Sequence, residues 1–69
     1  MKTATLKNCT MTSNTLYGNV YDHPKFKDGT FIRTSEVKNV HKDSDYYLVT
    51  TRNTIYKILE KDMYVIVDF

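Results

Sequence analysis

The chain has one cysteine, one proline, two glycines and no tryptophan in 69 residues. A single cysteine, Cys9, excludes a disulfide within the chain, the usual staple of a domain this small. The two histidines, His23 and His41, form no ligand-spaced pair with each other or with Cys9, so neither a metal site nor a cofactor is expected. Gly18 and Gly29 are too few and too far apart for a glycine-rich phosphate loop. No Ser/His/Asp set stands at a recognisable spacing. Cys9 with His23 or His41 could supply a nucleophile and a base, but a structural cysteine accounts for it more simply. An enzyme is therefore not expected. No apolar run approaches the ~18 residues of a membrane span, and no signal peptide is legible at the N-terminus. The expectation is a cytoplasmic chain with no membrane partner.

Charge is also scarce in one sense. Ten Lys/Arg stand against eight Asp/Glu, a net +2 that is too even to call for a polyanion. Lys25 and Lys27 flank Phe26, but Asp22 and Asp28 flank them in turn. A solvated mixed surface explains that pattern better than a binding patch does.

What the sequence does contain is β-forming residues. Ala4 is its only alanine, Thr, Val, Ile and Tyr are abundant, and no window carries an apolar stripe at helical spacing. Turn residues divide the chain into strands over 3–10, 15–22, 30–34, 36–42, 46–52, 55–60 and 63–69. Leu16, Gly18 and Val20 share one face, and Gly18 marks a bulge or a close backbone approach. Val37 and Val40 break strict alternation, so a bulge or bend is expected between them. Arg52-Asn53-Thr54 reads as a tight turn in which Asn53 could adopt a positive φ. Ile55, Ile58 and Leu59 put apolar residues on both faces of their strand, which suits a strand that is central or covered on both sides. One domain over 1–69 follows. It is all-β: a small antiparallel SH3-like barrel or curled sheet of six to seven short strands.

Aromatic area exceeds what a core this small can hold, with six tyrosines and three phenylalanines. Rings beside Arg33 and Arg52 could stack bases and hold phosphates, form a protein-docking hot spot, or cover the rim of the core with hydroxyls in water. Arg33-Thr34-Ser35 joins a planar fork of donors to two hydroxyls, a set suited to phosphate. The same hydroxyls could equally bond nearby backbone.

The run from Gly18 to Ser35 carries Gly-x-Val followed by Pro-x-Phe-x-Asp-Gly-x-x-Ile-x-Thr-Ser. A second block is Val49-Thr50-Thr51-Arg52-Asn53-Thr54-Ile55-Tyr56, with Arg52-Asn53 where relatives have a glycine at the turn. On these residues the chain resembles, over 16–58, the phage-encoded anti-CBASS sponge proteins. The resemblance implies a small β protein that assembles as a tetramer in the cytoplasm of the infected bacterial host. It would bind and sequester a cyclic oligonucleotide defence signal, of the cyclic dinucleotide type, without cleaving it. Tyr21, Arg33, Thr34, Ser35, Arg52, Asn53 and Tyr56 are the candidate contacts. Two alternatives stay open: an inhibitor that docks onto a host protein through an aromatic and basic face, and a small nucleic-acid-binding barrel. The segment Met63 to Phe69, with Met63, Val65, Val67 and Phe69 on one face and Tyr64 and Ile66 on the other, is expected to pack against another protomer.

Overall fold

A computed structural model describes the backbone of residues 2–67 and the side chains of residues 2–64. The strands are β1 (Lys2–Thr12), β2 (Thr15–Tyr21), β3 (Thr30–Arg33), β4 (Asn39–Asp43), β5 (Tyr46–Thr50), β6 (Thr54–Leu59) and β7 (Met63–Val67). All seven belong to one sheet, in the order β3-β2-β1-β6-β5-β4, with β7 also paired to β1. The all-β expectation holds, and of its two forms the sheet is the open, curled one.

It is not wholly antiparallel. Two antiparallel meanders, β1-β2-β3 and β4-β5-β6, are joined by a parallel pairing of β1 with β6, and β7 is parallel to β1 as well. Lys61-Asp62, which reads as a turn, lies instead in a single 3-10 turn over Glu60–Asp62. This turn offsets the chain without reversing it, so β7 continues in the direction of β6.

The strand β1 is long enough to pair with both because it bends. Asn8 takes a φ of 54°, and the register of β1 shifts between Lys7 and Thr10 against β2. The extra residue keeps Leu6 and Cys9 on the buried side, where strict alternation would have placed Asn8 instead. Gly18 lies directly across this bulge. A Cβ there would stand 3.0 Å from the Lys7 carbonyl oxygen and 3.3 Å from the Cys9 Cα, so the close backbone approach expected at Gly18 is real.

Six side chains, Leu6, Cys9, Leu16, Val20, Val49 and Ile58, are fully buried, with Ala4, Ile32 and Tyr56 beside them. They fill the concave side of the curl. Both two-residue hairpin loops, Ser13-Asn14 and Ser44-Asp45, place a positive φ on their serine, the pattern of a type II′ turn. Asn53 takes no positive φ. Its turn is closed from the flanks, where the Thr51 amide and hydroxyl both donate to the Thr54 carbonyl, at 2.9 and 3.1 Å.

The expected strand over 36–42 begins only at Asn39. Residues 34–38 form an extended strap across the open end of the curl, because their amides bond both halves of the sheet. Thr34 and Val37 donate to the carbonyls of Leu16 and Asn14, and Lys38 donates to that of Thr50. The face read for Val65 to Phe69 lies outside the described side chains. Tyr64 is 60% exposed, and its hydroxyl donates to Asn8 Oδ1 at 2.7 Å.

Gly18→Ala should lower stability by about 1–3 kcal/mol, because both neighbours of the new Cβ are backbone atoms that cannot swing aside. Urea denaturation should show a lower midpoint with an unchanged slope.

Candidate functional site

Three separate segments meet at the open end of the curl: the 22–29 loop, the start of the strap, and the 51–54 turn with the first residue of β1. Between them lies a pocket of about 210 Å³. Lys2, Lys25 and Arg33 line it, and no carboxylate does among the described residues. His23, Phe26 and Tyr56 supply its aromatic wall.

The loop is shaped by its own hydrogen bonds. Asp22 sits at a φ of 61° and its amide donates to Asp28 Oδ1 at 2.9 Å, Phe26 N–H donates to the His23 carbonyl, and Gly29, at a φ of 89°, donates to the Val20 carbonyl. Asp28 is thereby committed to the loop backbone, and Asp22 lines a different groove with Thr3, Thr5 and Lys57. The two acids that flank Lys25 in sequence therefore do not face the pocket. Among the described residues, none of Lys2, Lys25 and Arg33 forms an ion pair with a carboxylate.

His23 is 8% exposed. Its ring stacks on Tyr56 with centroids 6.3 Å apart and meets Phe26 edge-on at 4.8 Å. The Lys25 amide donates to His23 Nδ1 at 3.0 Å, so the neutral ring carries its proton on Nε2. Burial, with Lys2 and Lys25 nearby, holds its pKa below the ordinary 6.5. The ring is neutral at pH 7 and presents an apolar face. Burial likewise pushes the Tyr56 hydroxyl above its ordinary value, against a smaller opposing effect of the Thr54 hydrogen bond.

Arg33, Thr34, Ser35, Asn53 and Tyr56 all line this pocket. Two of the hydroxyls are engaged in the fold. Thr34 is buried; its Oγ1 accepts from the Leu16 amide at 3.1 Å and donates to the Ser35 carbonyl at 2.9 Å. Ser35 Oγ accepts from the Arg52 amide at 3.3 Å, and Arg52 does not itself line the pocket. Tyr21 lies elsewhere, on the convex face with Lys7 Nζ 4.9 Å from its ring centre. Sequence reasoning missed Lys2, His23, Lys25 and Phe26 as a group. The signal was the run His23-Pro24-Lys25-Phe26, where the single proline sets a compact loop.

No family model, no curated protein and no solved structure matches this chain.

A larger hollow of about 360 Å³ is lined by Asp45, Leu59, Glu60 and Lys61. Two carboxylates there oppose an anion, so the smaller cationic pocket is the better phosphate site. Cys9 is fully buried, and that burial, with a smaller contribution from Asp62, pushes its thiol up to about 11, away from the thiolate a nucleophile needs. No cluster of metal-ligating groups occurs among the described residues, and no helix among them is long and apolar enough to cross a membrane.

The depressed His23 pKa makes stability depend on pH. The unfolded chain binds the proton more readily, so the effect is absent above about 6.5 and stability falls as pH drops from there until His23 itself is protonated in the fold. Thermal denaturation should show the melting temperature falling between pH 7 and pH 5. His23→Gln should flatten that part of the curve.

Proposed function

We propose that the protein binds a phosphate-bearing nucleotide in this pocket and holds it without cleaving it, with a cyclic oligonucleotide signal as the ligand class. The observation that carries this reading is the meeting of Lys2, Lys25 and Arg33, none neutralised by a carboxylate among the described residues, with the faces of His23, Phe26 and Tyr56. Cations suit phosphate oxygens, with Arg33 able to engage two at once. Aromatic faces suit a base and tolerate any of them. A raised thiol pKa and a neutral, buried imidazole that is pinned by Lys25 fit retention better than turnover. The resemblance to phage sponge proteins supports the same ligand class and an infected bacterium as the setting.

Pocket size bears on stoichiometry. Sites for drug-sized ligands span ~300–1,000 Å³, and this one is about 210 Å³. One nucleotide unit fills it, and the rest of a cyclic dinucleotide extends outward. A homo-oligomer, a tetramer by the resemblance, would cover that remainder. A clean monomer by light scattering, with and without ligand, would remove this part of the reading.

A specific observation also favours docking onto a host protein. Phe26 is 42% exposed at the pocket rim beside Arg33, and an aromatic next to an arginine is typical of interface hot spots.

Isothermal titration against cyclic di- and trinucleotides separates the two. Binding should be enthalpic, and Lys25→Ala and Arg33→Ala should each weaken it by about tenfold or more, the loss of a hydrogen bond to a charged group. Intact ligand should be recovered after heat denaturation of the complex. Silence across the panel, together with a stoichiometric host protein retained by the wild type and lost in Phe26→Ala, would replace the nucleotide reading with the docking one.

A further inference from the structure

The pocket is rich in hydrogen-bond donors and poor in free acceptors. Lys2, Lys25 and Arg33 can only donate, and no carboxylate lines the pocket among the described residues. Its acceptors are mostly engaged by the fold. The carbonyls of His23, Asn53 and Thr54 accept the amides of Phe26, Lys2 and Thr51, and the Ser35 carbonyl accepts the Thr34 hydroxyl. Ser35 Oγ is engaged by the Arg52 amide. The side-chain amide of Asn53 can serve either way.

His23 adds a further donor. Its Nδ1 accepts from the Lys25 amide, which leaves the proton on Nε2. Nε2 bonds no described residue, yet no buried side-chain nitrogen or oxygen among them is left unpaired. Nε2 therefore reaches open space, and this pocket is the space that His23 lines. Charge adds a second argument. The nucleotide unit of a cyclic oligonucleotide carries one diester phosphate, a single negative charge. Lys2 and Lys25 exceed that charge by themselves, so the guanidinium fork of Arg33 is left for another group. Of the three rings, His23 and Tyr56 are buried, whereas Phe26 is 42% exposed at the rim beside Arg33. A base that stacks on Phe26 thus presents its edge to the side of the pocket that carries the fork.

We propose that the pocket selects guanine among the bases, with Arg33 donating to O6 and N7, Phe26 stacking on the ring, and Lys2 and Lys25 holding the phosphate. This rests on the nucleotide reading above and narrows it to guanine-bearing ligands. Guanine presents N7 and O6 as neighbouring acceptors, which match the two parallel N–H groups of an arginine fork. Adenine sets an N6 amine beside its N7, and cytosine presents an N4 amine. Either amine would meet the Arg33 and His23 donors with no carboxylate to accept from it. Uracil offers O4 alone on that edge. A site of donors therefore rejects an amino-bearing edge by leaving the amine and its own donors unpaired, which costs more than one missing bond.

Titration calorimetry with cyclic di-GMP, cyclic di-AMP and the cyclic dinucleotide of 7-deazaguanosine, at one pH and salt concentration, tests this. Cyclic di-GMP should bind more tightly than cyclic di-AMP by about tenfold or more. The 7-deaza ligand, which has a C–H in place of N7, should bind about tenfold more weakly than cyclic di-GMP, the loss of one hydrogen bond to a charged group. Arg33→Lys keeps the charge and removes the fork, so it should bring the ratio of guanine to adenine affinity toward one. Arg33 is exposed, so this variant should fold, which circular dichroism checks. Equal affinity for cyclic di-GMP and cyclic di-AMP would overturn the selectivity while leaving the nucleotide reading in place, and so would undiminished binding of the 7-deaza ligand. A guanine preference that Arg33→Lys leaves intact would overturn the assignment of Arg33. Silence with all three ligands would overturn the proposal, and silence across other cyclic di- and trinucleotides as well would remove the nucleotide reading beneath it.

Discussion

The bend in β1 is the constraint on which the rest of the fold depends. Three strands pair directly with β1: β2 on one side, and β6 then β7 on the other. One straight strand could not serve both β6 and β7 while keeping its apolar residues on a single side. The bulge at Asn8 resets the alternation so that Ala4, Leu6 and Cys9 all face inward. The absence of a side chain at Gly18 lets β2 follow the bend at backbone contact distance. With only six fully buried side chains, the protein has little spare packing to absorb a mismatch at this point.

Curling also creates the pocket. A flat sheet would leave β3 and the 51–54 turn far apart, whereas the curl brings the end of β3 opposite the start of β6 and leaves a gap for the strap to close. The strap uses main-chain bonds to Leu16, Asn14 and Thr50, and its side chains Thr34 and Ser35 add bonds to Leu16 and Arg52. Thr34 therefore has a structural task that limits its use toward a ligand. What is left facing the gap is the cations and the faces of the rings. The chemistry of the pocket is what remains after the fold has satisfied its buried polar atoms, none of which is unpaired among the described residues.

The two faces of the sheet thus differ in kind. The concave side ends in a half-open pocket of about 210 Å³ lined by cations and rings. The convex side offers an open band whose rings are partly covered by lysine stems, as amphipathic side chains do when no core is available to them. The surplus of tyrosine in the composition is divided between these places. Tyr56 supports the pocket, Tyr21 and Tyr46 lie on the band, and Tyr64 anchors β7 to the bulge through Asn8.

Most strand positions and the alternation of Leu16, Gly18 and Val20 were legible because they are local consequences of a period of two residues. So was the all-β class, since the chain has almost no alanine and no helical stripe. Of the residues chosen from the sequence as candidate contacts, Arg33, Thr34, Ser35, Asn53 and Tyr56 line one pocket, and Tyr21 lies on the other face. The parallel pairing of β1 with β6 and β7 could not be read from the chain, because alternation is the same in parallel and antiparallel strands when one face is exposed. Nor could the union of Lys2 with Lys25 and Arg33. Their meeting depends on the curl and on Asp22 and Asp28 being drawn away into loop bonds, a matter of three-dimensional geometry that neighbouring charges in a sequence do not disclose.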